Sequence, residues 1–162
     1  MIEKKEILEK IVPKAVLQGL TSEANEAVSQ NQEIDGFVCI REYPFRIGRE
    51  SRVQLVKGKL QRVERPKMGK RQPNNELYLV DRGEFLNISR EHLVIACSED
   101  GKYSLHDRGS ACGTIINGRS IGGKDSGGSV ELTDGDEIII GTQDSPYRFR
   151  FIDLLDFGDI DK

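Results

Sequence analysis

The spacing of apolar positions changes near residue 36. Before it, Ile7, Leu8, Ile11 and Val12 recur at the interval of one helical face, which predicts a helix over residues 2–20. Pro13 interrupts the pattern and should kink the helix or start a second helical piece at Lys14. Residues 21–34 are polar and weakly patterned, and read as a linker with helical turns. From Gly36 the interval falls to two, as in half-buried strands, first at Phe37 and Cys39 and again around Ile47. Further strands are expected at Glu76–Val80, Leu93–Cys97, Tyr103–His106, Thr114–Ile116, Glu137–Gly141 and Arg148–Ile152. Turn residues separate them: Glu99-Asp100-Gly101, Asn117-Gly118 and Asp134-Gly135-Asp136. Asn117-Gly118 between Ile116 and Arg119 is a two-residue hairpin signal, because both central residues of that turn need positive φ. Short strands at regular intervals predict an all-β sandwich or barrel.

A chain of 162 residues can bury a self-sufficient core within one domain. Its hydrophobic share of 36% and charged share of 31% fit a soluble globular protein. The sequence has no apolar run of bilayer-spanning length, and its first residues lack the apolar centre of a secretory signal. Cys39, Cys97 and Cys112 are odd in number and lack metal-ligand spacing, so reduced thiols in a cytoplasmic protein are expected, with no metal and no cofactor. The net charge of −3 conceals a basic stretch. Residues 51–73 hold Arg52, Lys57, Lys59, Arg62, Arg65, Lys67, Lys70 and Arg71 against Glu64 alone, a net charge of +7. Such a stretch serves a negatively charged partner or is a solvated loop. Within it, the runs Val53–Val56 and Lys59–Val63 flank Lys57-Gly58 and predict a hairpin.

Three segments in fixed order carry candidate chemistry: Gly48-Arg49, Ser89-Arg90-Glu91-His92, and Gly113-Thr114-Ile115-Ile116-Asn117-Gly118. Each lies in a turn beside a strand-like run. Guanidinium forks and a hydroxyl suit a phosphate dianion. The ordered set, closed by Leu132-Thr133-Asp134-Gly135-Asp136-Glu137-Ile138-Ile139-Ile140-Gly141, resembles the forkhead-associated (FHA) domain over roughly residues 36–152. The resemblance implies a two-sheet antiparallel β-sandwich, preceded by a short helical extension and linker (1–35) and followed by an acidic tail (153–162). It implies a non-enzymatic module that reads phosphothreonine in partner proteins. By the same resemblance Arg49, Ser89 and Arg90 hold the phosphate. Gly48, His92, Gly113, Asn117 and Gly118 support the site, His92 by bracing the loops and Asn117-Gly118 by building the hairpin.

The sequence departs from the family's pattern at two places. Where the family commonly has Ser-Thr-Asn-Gly-Thr, this chain has Ser110-Ala111-Cys112-Gly113-Thr114, so the peptide-contact loop of Ser110, Ala111 and Cys112 lacks a threonine hydroxyl and an asparagine amide. Each lost neutral hydrogen bond costs about 1 kcal/mol, or several-fold in affinity. The gap from Arg49 to Ser89 is also long and contains the basic insertion, which could attract acidic or multiply phosphorylated partners. Two alternatives stay open: an FHA-fold scaffold with little phosphate dependence, and binding of nucleic acid through the insertion. The insertion contains no aromatic residue for base stacking, which argues against single-stranded ligands. No nucleophile–base set, Walker-type loop or paired-histidine metal motif is readable, which argues against an enzyme.

Overall fold

The computed structural model describes residues 1–50, 53–62, 74–124 and 126–155, with 53–56 and 60–62 described by their backbone alone. In chain order the strands are β1 (Ala15–Gly19), β2 (Glu33–Ile34), β3 (Phe37–Ile40), β4 (Phe45–Arg49), β5 (Val53–Val56), β6 (Lys59–Arg62), β7 (Leu77–Leu79), β8 (Leu93–Cys97), β9 (Tyr103–Asp107), β10 (Thr114–Ile116), β11 (Arg119–Ile121), β12 (Gly128–Leu132), β13 (Glu137–Ile140) and β14 (Arg148–Asp153). They form a seven-stranded sheet ordered β11-β10-β13-β14-β1-β3-β2, a five-stranded sheet ordered β12-β9-β8-β4-β7, and the separate β5-β6 hairpin. The expected two-sheet sandwich is the observed fold. Its core lies between the sheets, where Leu17, Phe149 and Phe151 of the larger sheet share one cluster with Ile47, Leu93 and Leu105 of the smaller.

Periodicity misplaced the start of the chain. Helix α1 spans only Lys4–Ile11 and buries no residue. Residues 15–19, expected to be helical, are β1, which pairs with β14 on one side and β3 on the other. Residues Ala15, Val16 and Leu17 are all buried. A short apolar run of this kind cannot be assigned to helix or strand by period alone. Residues 15–19 therefore belong to the sandwich and not to a helical extension before residue 36. The polar stretch that follows contains α2 (Ser22–Ala27), capped by Thr21, whose hydroxyl accepts the Ala24 N–H.

Among the described residues all strand pairs run antiparallel except β4 and β7, which are parallel. A parallel pair needs a long crossover, and the segment between Arg49 and Leu77 supplies it. That segment holds the β5-β6 hairpin, with Lys57 and Gly58 at positive φ in its turn and Lys57 and Lys59 exposed. Arg52, Arg65, Lys67, Lys70 and Arg71 lie outside the described residues, as do residues 156–162 of the expected acidic tail. At the other end of that tail, Asp153 belongs to β14, and its carboxylate accepts the Tyr103 hydroxyl at 2.8 Å. Strand β12 begins at Gly128, after the glycine-containing connection from β11.

Strand direction gathers the candidate loops. Ile47 pairs with Leu93, and Leu93 with Asp107. The end of β4, the start of β8 and the end of β9 therefore share one sheet end. Since β7 runs parallel to β4, the loop that follows it opens at the same end. In the other sheet Thr114 pairs with Ile140, so the start of β10 meets the end of β13. The Gly141 N–H donates to the Gly113 carbonyl at 2.9 Å, a bond between residues that adjoin these two strands.

Candidate functional site

Gly48 and Arg49 end β4 directly against the segment that carries Ser89 and Arg90. The Arg49 N–H donates to the Ser89 carbonyl at 2.9 Å, and the buried Arg49 side chain donates from Nε to the Ile88 carbonyl at 2.8 Å. That bond fixes the plane of the guanidinium. A Cβ on Gly48 would stand 2.0 Å from the Arg90 carbonyl oxygen and 2.6 Å from Asn75 Nδ2. Glycine within a strand marks a close backbone approach, and here the approaching backbone is that of Arg90.

Ser89 is held from two sides. Its Oγ accepts the Ala111 N–H at 3.0 Å, joining the two loops, and its own N–H donates to His92 Nδ1 at 3.0 Å. An acceptor at Nδ1 places the ring proton on Nε2, which donates to the Gly113 carbonyl at 2.8 Å. His92 is completely buried and connects the Ser89 turn to the Gly113 turn. Burial pushes its pKa below the usual histidine value, while the Gly113 carbonyl and Asp107, whose Oδ2 lies 3.9 Å from Nε2, oppose the shift.

A proton on Nδ1 would break the bond to Ser89. With the folded pKa below the unfolded value of about 6.5, the unfolded chain binds more protons as pH falls. Stability is then complete above about pH 6.5 and declines below it, by at most about 1.4 kcal/mol per pH unit for this one group. Urea midpoints at pH 7.5, 6.5 and 5.5 should fall in that order, and the His92→Gln variant should be less stable but flatter across the same interval. A wild-type midpoint unchanged between pH 7.5 and 5.5 excludes this account.

Asp107 organises the next loop. Its Oδ1 accepts the Gly109 and Ser110 N–H groups, and its Oδ2 accepts the Ser110 and Thr114 hydroxyls. Ser110 was expected to contact ligand. Instead it is completely buried, donates to Asp107 and accepts the Gly113 N–H at 3.0 Å. A hydroxyl engaged on both sides builds the loop, so the peptide-contact assignment of Ser110 is corrected. Ala111 is exposed, and Cys112 is half-buried with Sγ 3.4 Å from the Leu86 carbonyl.

Asp81 and Asn75 also support the site without having been singled out in the sequence. Asp81 accepts the N–H groups of Gly83, Asn87 and Ile88 and the Tyr147 hydroxyl. Burial and then the Asp81 bond push the Tyr147 hydroxyl up to about 12. Asn75 donates to the Arg90 carbonyl and accepts from Arg108, which also lies 3.3 Å from Glu91. A sequence signal for the aspartates exists: Asp-Arg-Gly occurs at 81–83 and again at 107–109, and in both the aspartate accepts the glycine N–H two residues on. Asn117 and Gly118 have φ of 48° and 83° and close the β10–β11 hairpin. Asn117 also bonds Asp136 and Glu137. Among the described residues no group of three His, Cys, Asp or Glu side chains could hold a metal ion, and no helix is long and apolar enough to cross a membrane.

The FHA domain family model matches residues 67–141. The FHA domain of the CT664 protein from Chlamydia trachomatis superposes with a TM-score of 0.50 at 18% identity, covering 86% of this chain and 96% of that one. Full-length yeast Pml1p gives 0.53 at 17% identity over 86% and 81% of the two chains, and an engineered FHA with Myc-pTBD peptide gives 0.51 at 17% over 90% and 94%. No curated protein sequence matches the chain. These likenesses are to the fold, and the family match over residues 67–141 supports an FHA domain within this chain.

Proposed function

We propose that this protein is a phosphopeptide-recognition module in which Arg49, Ser89 and Arg90 bind the phosphate of a phosphothreonine-containing partner. The observation that carries the reading is the joining of three distant segments at one sandwich edge: Arg49 on Ile88 and Ser89, and Ala111 on the Ser89 hydroxyl oxygen. The Ser89 oxygen accepts from Ala111, so its hydroxyl hydrogen is directed elsewhere and can donate to a phosphate. That bond uses the backbone of residue 111 and does not depend on the side chain there, so an alanine preserves it. The FHA family match and the peptide named with the engineered FHA support peptide recognition over catalysis. The absence of an amide at Cys112 and a hydroxyl at Ala111 favours modest grip on the peptide backbone.

Titration with a phosphothreonine peptide library, its unphosphorylated twin and an oligonucleotide tests the reading. Only the first should bind. Arg49→Ala should weaken that binding about a hundredfold, the loss of two charge-assisted hydrogen bonds. Binding should also weaken below about pH 6, where the phosphate gains a proton. Equal binding of the twin libraries would identify a scaffold that ignores phosphate.

A further inference from the structure

Six of the ten large apolar side chains exposed among the described residues lie in the first twelve positions: Met1, Ile2, Ile7, Leu8, Ile11 and Val12. Such residues need no explanation when scattered singly, but a contiguous group marks a surface that something covers. Leu8 is 58% and Ile11 60% exposed on α1, a helix that buries no residue and has no side-chain cap at its start. An isolated helix shorter than about 12 residues is marginal in water, and most of a helix's stability comes from packing its apolar face. Within the described residues α1 lacks that packing.

The helix is tethered at one place. Arg41 Nε donates to the Ile11 carbonyl at 3.0 Å, and the Lys14 N–H donates to the Ile40 carbonyl at 2.8 Å. Ala15 pairs with Asp153 at the end of β14, whereas the phosphate site adjoins the end of β13. Helix and site therefore stand at opposite ends of the sandwich. At about 3.6 residues per turn, Ile7, Leu8 and Ile11 fall within an arc of about 100°. Lys4 falls in the same arc one turn before Leu8, Lys5 and Lys10 border it, and Glu6 and Glu9 lie on the far side.

Charge decides what covers the face. An apolar arc bordered by lysines is complementary to carboxylates. A second copy of the same face would set these lysines against one another, and the chain's net charge of −3 opposes an anionic bilayer. We propose that α1 is a docking helix whose Ile7, Leu8 and Ile11 pack on an amphipathic helix of a partner protein that carries Asp or Glu beside its apolar stripe. Lys4, Lys5 and Lys10 pair with those carboxylates. Leu155, exposed one residue past the Leu154 N–H bond to the Lys14 carbonyl, extends the apolar surface at the tether. Docking at this end leaves the phosphate site open, and it stands whether or not that site is filled.

The test titrates the full chain with a labelled helical peptide of about three heptads, leucine at a and d and glutamate at e and g, and with its twin carrying lysine at e and g. The glutamate peptide should bind about tenfold tighter than the twin, and less tightly as salt rises. Leu8→Asp/Ile11→Asp should weaken its binding about a hundredfold. Lys4→Glu/Lys5→Glu/Lys10→Glu should reverse the preference toward the lysine peptide, a result that a merely misfolded variant would not give. None of the five residues is buried, so both variants should fold. Equal affinity for the two peptides, binding of neither, or a preference that the lysine substitutions leave unchanged overturns the inference and leaves the phosphopeptide function intact. Sedimentation showing a wild-type dimer that Leu8→Asp/Ile11→Asp abolishes would assign the face to a second copy and overturn it. Retention on phosphatidylserine vesicles that the glutamate peptide does not displace would assign the face to a lipid surface and overturn it as well.

Discussion

Asp107→Ala should lower folding stability by about 4 kcal/mol, the largest loss expected from a single truncation near the site. The carboxylate accepts four hydrogen bonds, two from backbone N–H groups and two from hydroxyls. Bonds to a charged acceptor contribute about 1.5–3 kcal/mol each, but they share one group and do not add in full. Ser110 and Thr114 are completely buried, so alanine would strand their hydroxyls away from water. The surroundings are tight: a Cβ on Gly122 would stand 2.2 Å from the Asp107 carboxyl carbon. Asp107→Asn should cost about half as much, since its oxygen can still accept and its amide can donate to the two hydroxyls. Urea unfolding of the three proteins checks the order. A loss below about 1 kcal/mol for alanine would mean that the loop stands without its aspartate.

Gly48→Ala should reduce peptide binding by about a hundredfold and stability by about 3 kcal/mol. Gly48 lies in a strand at ordinary φ, so the backbone itself tolerates alanine. The cost comes entirely from the new methyl, 2.0 Å from the Arg90 carbonyl oxygen and 2.8 Å from its carbon. Neither is the end of a flexible side chain. The Arg90 backbone must move, and with it the Ser89 carbonyl that accepts from Arg49 and the Asn75 amide that bonds Arg90. The binding loss should therefore exceed what Arg90→Ala alone produces, because the substitution separates Arg49 from Ser89 as well. Calorimetry on both variants, with unfolding monitored alongside, makes the comparison. Gly48→Ala binding like wild type would show that the close approach is dispensable.

The parts of this fold legible in the sequence are those whose signal is local. Alternation at Leu93–Cys97 and Tyr103–Asp107 reflects strands with one face on the core, and Asn117-Gly118 supplies the two positive φ angles of its turn. The order of the three site segments was likewise legible, because each turn needs particular small or polar residues. Strand β1 was missed because Ala15, Val16 and Leu17 are all buried, so neighbouring side chains on both faces are covered and the alternation of a half-exposed strand is absent. Asp81 and Asn75 were missed because their partners, Tyr147, Arg90 and Arg108, are distant in sequence. Ser110 was placed on the ligand because a serine in a glycine-rich turn reads identically whether its hydroxyl faces out or in.

Sequence alone determined that this chain builds a β-sandwich with cationic and hydroxyl groups in its turns, since residue period and turn chemistry are properties of neighbours. Which groups face one another was decided only by the tertiary structure. Strand direction and register bring Arg49 to Ile88 and Ser89, put Ala111 on the Ser89 hydroxyl, and bury Ser110 against Asp107. Those relations depend on how two sheets close over a shared core, and no window of consecutive residues contains that closure.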